Sequence, residues 1–197
     1  MSFCAGRSSA NDDALGGASG SAFVFERNQG GADNWGEVVK LIASDGEAND
    51  LFGEACALDG DTLVVGARAE DHAGSESGAA YVFRRNRGGA DNWGEVQKLT
   101  ASDAAAGDQF GHPLAISGDT IITSAPLDGG SIGSAYVFVT CGTEAGEWHE
   151  VSKTTASDGW AGDLFGAAIA LSGEFMIVGA PMELSLIHIS EPTRPKR

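Results

Sequence analysis

Aspartate is the side chain best placed to do chemistry in this chain, and it recurs at fixed spacing. The pattern A-S-D-x-x-x-x-D-x-F-G occurs three times, as Ala43 to Gly53, Ala101 to Gly111 and Ala156 to Gly166. Two carboxylates in one loop suit a hard cation that takes oxygen ligands. They equally suit the backbone, because Asp accepts N–H bonds and holds turns, and that structural use is the expectation here. Paired carboxylates also serve as general acid and base. A catalytic pair is usually unique, whereas these repeat in every unit, and no G-x-S-x-G, HExxH, P-loop or GxGxxG segment accompanies them. The reading is therefore a protein without catalytic residues of its own. His72, His112 and His149 occupy non-equivalent positions and lack metal-ligand spacing. Trp35, Trp93 and Trp148 keep the repeat spacing and read as packing residues. Trp160 differs, because its repeat equivalents are Glu47 and Ala105, so packing alone does not demand an indole there.

The elements that hold these residues follow from the same periodicity. Phe52, Phe110 and Phe165 lie 58 and then 55 residues apart, and Phe25, Phe83 and Phe138 keep the same two spacings. The three-residue shortening falls between Ala125 and Ala135. Each unit carries four strand signals, which in the second unit are 55–58, 62–67, 79–84 and 96–100. Asp59-Gly60, Ser117-Gly118 and Ser172-Gly173 mark tight turns between the first two strands. No segment sustains a helical period. Four short antiparallel strands per ~55-residue unit predict an all-β fold, a partial β-propeller of four-stranded antiparallel blades.

Composition narrows the function classes. The 197 residues include 29 Gly and 5 Pro, 42% are hydrophobic, and the formal net charge is −16. That charge disfavours a nucleic-acid backbone as partner. No apolar run approaches the ~18 residues of a membrane span. Cys4, Cys56 and Cys141 are odd in number and widely spaced, which supports neither a disulfide framework nor a zinc site. Cys56 reads as a small buried hydrophobe.

The organisation is read as 1–10 outside the repeat or a false start, 11–51 the last strands of one blade, 52–109 and 110–164 two blades, 165–183 the first strands of another, and 184–197 a tail. That tail resembles a translated sequencing-library adapter and is set aside from the fold.

The motif F-G-x-x-x-A-[LI]-x-G-[DE], followed by [VI]-V-G-A, resembles the FG-GAP repeat of integrin α-like propellers. Gly66-Ala67-Arg68, Ser124-Ala125-Pro126 and Gly179-Ala180-Pro181 occupy the GAP position, and only the last matches it fully. The resemblance implies a seven-bladed ring, of which this chain is an arc. It also implies an extracellular or cell-surface binding and adhesion module for a protein or glycan. The alternative is an accessory or catalytic propeller domain of a secreted enzyme whose active site lies outside these residues. Integrin-type blades often hold calcium in D-x-D-x-D-G turns, but the turns here begin Asp59-Gly60-Asp61, Ser117-Gly118-Asp119 and Ser172-Gly173-Glu174, so that site is not expected.

In such an architecture the loops joining strands two to three and four to one share a face. They hold nearly half of the 28 acidic residues, with Arg68 and His72 as the expected basic neighbours. The ligand-face candidates are Trp160, Asp71, Asp158, Asp103 and Asp45. A partner there would be cationic or bridged by a divalent cation such as calcium.

Overall fold

The computed structural model describes residues 15–140 and 147–183, together with the backbone of residues 2–7. Cys141 and the 184–197 tail lie outside the described residues.

Alternating patterns bounded by Gly turns give strands that pair in sequence order. β1 (Ser2–Arg7), β2 (Ser21–Arg27) and β3 (Trp35–Leu41) form a three-stranded antiparallel sheet. β4 (Ala55–Asp59), β5 (Thr62–Ala67), β6 (Ala79–Arg85) and β7 (Trp93–Leu99) form a four-stranded one. β8 (Leu114–Ser117), β9 (Thr120–Ala125), β10 (Ser134–Thr140) and β11 (Trp148–Thr154) form the next. β12 (Ala168–Ser172) and β13 (Phe175–Gly179) make a two-stranded ribbon. The first strands β4, β8 and β12 adjoin one another in series, with β1 beside β4. The described sheets do not close into a ring.

Ser2–Arg7 fit no repeat by sequence, yet β1 pairs with β2 where β5 pairs with β6. Gly6 faces Ala22 as Gly66 faces Ala80. The fourth strands begin earlier than their hydrophobic pattern suggests, at Trp93 rather than Val96. A register shift at Val82/Phe83 lets Arg85 face Trp93, and the same irregularity recurs at Val24/Phe25 and Val137/Phe138. The only helical assignment among the described residues is one turn, Asp128–Ser131, and its Gly129 and Gly130 have φ of 63° and 76°. It replaces the longer loop of the preceding unit, where the three-residue shortening falls.

The core lies between sheets rather than within any one of them. Leu63, Val65, Tyr81, Phe83 and Trp93 face Ala22, Val24 and Leu41 of the sheet before. Val64, Val82 and Leu99, from the alternate positions, face Phe110, Ile121, Tyr136, Phe138 and Trp148 of the sheet after. This period-two division lets a single strand serve two interfaces. Phe52 meets Tyr81 and Phe83 edge-to-face at 5.5 and 6.0 Å, and Phe110 meets Tyr136 and Phe138 at 5.4 and 6.0 Å. Full burial of each such ring contributes about 1.5–3 kcal/mol.

Two expectations of burial need correction. Trp93 and Trp148 are 6% and 2% exposed, but Trp35 is 42% exposed, because no described sheet covers the side of β3 that it faces. Cys56 is half-buried at the margin of the core rather than enclosed, on the short first strand.

The close approach of the sheets requires glycine. Gly78 (φ 83°) bridges Phe110, and a Cβ there would lie 2.1 Å from the Phe110 carbonyl oxygen. No L-residue accepts both the conformation and the contact.

Candidate acidic loop face and the junctions that build it

Each A-S-D-x-x-x-x-D-x-F-G connection closes on its second Asp. Asp50 Oδ2 accepts the Glu47 N–H at 2.7 Å, Asp108 Oδ2 that of Ala105 at 2.8 Å, and Asp163 Oδ2 that of Trp160 at 2.6 Å. This is the turn-holding use expected of those carboxylates, and it points the following Phe into the next sheet.

The Ser and the first Asp act differently. They reach across to the sheet that follows. Ser44 donates its N–H and hydroxyl to the Glu95 carboxylate at 3.0 and 2.8 Å, and Ser102 does the same to Glu150 at 2.9 and 2.8 Å. Asp45 accepts from Tyr81 Oη at 2.8 Å and Lys98 Nζ at 2.7 Å. Asp103 accepts from Tyr136 Oη at 3.0 Å and Lys153 Nζ at 2.6 Å. Lys98 also pairs with Glu70, and Lys153 with Asp128, both shorter than 3 Å. Each ammonium lies over the Tyr ring of its own group, at 5.5 and 5.3 Å from the centroid.

The electrostatics follow the geometry. Burial alone would raise Asp45, but the hydrogen bonds from Lys98 and Tyr81 outweigh it and hold the carboxyl below its usual range. The Lys153 hydrogen bond lowers Asp103 against a smaller burial effect. Desolvation and the adjoining carboxylates push both tyrosine hydroxyls up, so they remain donors. The lysines stay charged, because their carboxylate partners more than offset the cost of burial.

Lys98 and Lys153 correct the expectation that only Arg68 and His72 stand among the acidic loops. Asp45 and Asp103, chosen as ligand-face candidates, have their carboxylates engaged at the junctions. Asp158 and Trp160 occupy the third connection, where both are exposed, Trp160 by 78%. Asp71 is exposed in the β5–β6 loop, and its Oδ1 accepts the Glu76 N–H at 2.7 Å.

Asp45 and Asp71 do share a cavity, of about 240 Å³, lined also by Glu47, Asp50, Glu70 and His72. Asp103, Asp158 and Trp160 stand apart from it, on their own connections. Glu70 is 8% exposed and its Oε2 lacks a hydrogen-bond partner. Burial raises Asp50, and the charges of Glu70, Asp71 and Glu47 raise it further. Sequence reasoning passed over Glu47 and Glu70 as sites. The signal lay in comparing the units. Where the first junction carries Glu47 the second carries Ala105, and Asp71 and His72 lie in the loop that the second unit shortens by three residues, so the fold does not need these groups. A second cavity of about 490 Å³ adjoins through Asp71, lined by Asn49, Arg68, Ser75 and Glu76 among others, with Arg68 paired to Glu54 at 2.6 Å.

The opposite turns are used structurally. Asp59 Oδ2 accepts the Gly118 N–H of the next unit at 2.7 Å. Among the described residues no three His, Cys, Asp or Glu side chains have the arrangement of a metal-ligand set.

Residues 35–83, 93–138 and 148–184 match the FG-GAP repeat, three copies that together cover more than half of the chain. No curated protein matches the chain significantly.

Proposed function

The chain belongs to the FG-GAP repeat family, and from that premise we propose that its sheets are successive blades of a propeller arc, of the seven-bladed kind, acting as a non-catalytic extracellular or cell-surface adhesion module. Its partner is a protein or glycan that presents cationic groups, or that is bridged by a divalent cation, to the loop face. The observation that carries this reading is the cavity at the first junction. Asp45, Glu47, Asp50, Glu70 and Asp71 converge there, and Lys98 is the ammonium paired among them. The repeat does not demand three of the residues in that wall, since the next unit has Ala105 for Glu47 and shortens the loop that carries Asp71 and His72. Clustered carboxylates in a low-dielectric cleft attract cations and steer charged partners, at a cost in self-repulsion that packing does not recover. Trp160 supplies a second contact on the same set of loops, a large exposed aromatic of the kind that anchors interfaces.

The test is isothermal titration of a basic peptide, and separately of calcium, into the wild-type chain, the Glu47→Gln/Asp71→Asn double variant and Trp160→Ala. Peptide affinity about tenfold weaker in the double variant, with unchanged folding by circular dichroism, supports the reading. Equal affinity in all three proteins, or no uptake of either probe, overturns it.

A further inference from the structure

We propose that the two adjoining cavities at the first junction form one site for a basic α-amino acid, free or at the carboxyl terminus of a peptide. Its carboxylate meets Arg68, and its side-chain cation enters the acidic wall of Glu47, Asp50 and Glu70. The proposal deepens the reading of that wall as a cation receptor and rests on it.

Comparison of the units locates the site. Asn49 stands where the later units have Gly107 and Gly162, and Arg68 where they have Pro126 and Pro181. Glu47 gives way to Ala105 and Trp160, and Glu54 to His112 and Ala167. The neighbouring units are built without these four side chains, yet here the four gather in one place. Glu47 lines the acidic cavity of about 240 Å³, Asn49 and Arg68 line the adjoining one of about 490 Å³, and Glu54 holds Arg68 through Nε at 2.6 Å. Asn49 keeps a φ of 76°, beside 87° and 98° for the two glycines. A side chain in a conformation that the repeat gives to glycine carries a cost. Among the described residues no hydrogen bond from that side chain offsets it.

Two groups are poised for a ligand. Glu70 lines the acidic cavity and is 8% exposed. Its Oε1 pairs with Lys98 at 2.7 Å, while its Oε2 is buried without a hydrogen-bond partner. A buried carboxylate oxygen in that state calls for a donor. Arg68 makes its hydrogen bond to Glu54 from Nε, which leaves the terminal guanidinium nitrogens among the described residues for a planar acceptor such as a carboxylate. Asp71 lines both cavities and joins the two groups. A ligand lying across them meets a guanidinium, then a shared carboxylate, then the acidic wall. A carboxylate, an adjoining N–H and a cation on an alkyl chain match that order. A bare metal ion does not, because no metal-ligand set is present among the described residues and Arg68 would repel it. A simple diamine would set one of its own charges against Arg68.

Isothermal titration into the full chain tests the proposal, with L-lysine, lysinamide, 1,5-diaminopentane, and a peptide ending in lysine with its carboxyl group free or amidated. Lysine is expected to bind at least about tenfold more tightly than lysinamide or the diamine, and Arg68→Gln to abolish that preference. Glu47→Ala should weaken lysine about tenfold. Asn49→Gly should weaken it too without lowering the melting temperature, which separates a contact with ligand from a structural role. Uptake of the free-carboxylate peptide but not the amidated one supports a chain terminus as the source, and uptake of lysine alone supports the free amino acid. Lysinamide or the diamine binding as tightly as lysine, or a preference for lysine that survives Arg68→Gln, overturns the proposal while the acidic wall remains a cation receptor. So does a chain that takes up an internal basic peptide but neither lysine nor the lysine-ended peptide. Silence toward every cationic probe removes both readings.

Discussion

Asp45 and Asp158 are the same residue in the same motif, and they differ in what lies opposite. That makes them a matched pair for measuring a junction. Asp45→Ala removes an acceptor from Tyr81 Oη at 2.8 Å and from Lys98 Nζ at 2.7 Å. The ion pair is half exposed on the Asp45 side, so solvent screening limits it to about 0.5–1 kcal/mol. Lys98 keeps Glu70 at 2.7 Å, so no cation is stranded. The hydroxyl of Tyr81, a residue whose side chain is otherwise enclosed, loses its acceptor at a cost of about 1 kcal/mol. Together these give about 1.5–2 kcal/mol, or a melting temperature lower by about 5 °C for a chain of this size. Asp158→Ala breaks no contact of this kind and should stay within about 0.5 kcal/mol of wild type. Urea and thermal unfolding followed by circular dichroism, at concentrations low enough to keep the chain monomeric, give both numbers. Equal losses in the two variants would refute the assignment of Asp45 to the junction. So would a loss in Asp45→Ala that persists undiminished when Tyr81→Phe and Lys98→Met are already present.

Stability should pass through a maximum on the acid side of neutrality. Asp50 and Asp108 are raised, so their ionisation opposes folding at neutral pH, and that cost is relieved as pH falls through their folded values. Asp45 and Asp103 are lowered, so their contribution is complete above the unfolded value of about 3.9 and disappears as pH falls through their folded values. Urea midpoints measured from pH 7 downward should rise and then fall, and a monotonic profile would contradict the balance described. Phe110→Ala, at a fully buried ring touching Tyr136 and Phe138, should cost about 3–5 kcal/mol, read as collapse of soluble folded yield. Gly78→Ala and Gly107→Ala share a positive φ, but only the former meets backbone, 2.1 Å from the Phe110 oxygen. The Gly107 change should cost about 1–2 kcal/mol and the Gly78 change clearly more, and equal unfolding midpoints would count against the described approach of the sheets.

Strand number and order within the repeat units, and the turn-holding role of Asp50, Asp108 and Asp163, were legible because each depends on residues close in sequence, whereas β1, which fits no repeat, was not. The Asp50 acceptor lies three residues from its donor. The role of Asp45 was not legible, since its partners are 36 and 53 residues away on another sheet. A signal did exist: the chain has only two Tyr, Tyr81 and Tyr136, and they keep the 55-residue spacing of Lys98 and Lys153. Tyr and Lys recurring together mark a partner that also recurs, and the first Asp of the motif is one of the acids that do. The exposure of Trp35 was invisible for a different reason. A repeat assigns the same environment to equivalent residues, and Trp35 departs from it because no described sheet lies on its side of β3.

The junctions use the same vocabulary throughout: Ser to Glu, Asp to Tyr and Lys, Phe against two aromatic rings. Little in those shared contacts tells the second sheet which neighbour to choose, so beyond junction-specific bonds such as Gln97 with Trp148 the order of the sheets is carried by the tether. The 13 or 14 residues of each connection hold the correct partner at a local concentration that no distant unit matches. Lengthening a connection with flexible Gly-Ser residues would therefore leave every native contact available while eroding the preference for the right one. The expected fault is a chain that folds with its units correctly made and wrongly paired, a failure characteristic of repeat proteins.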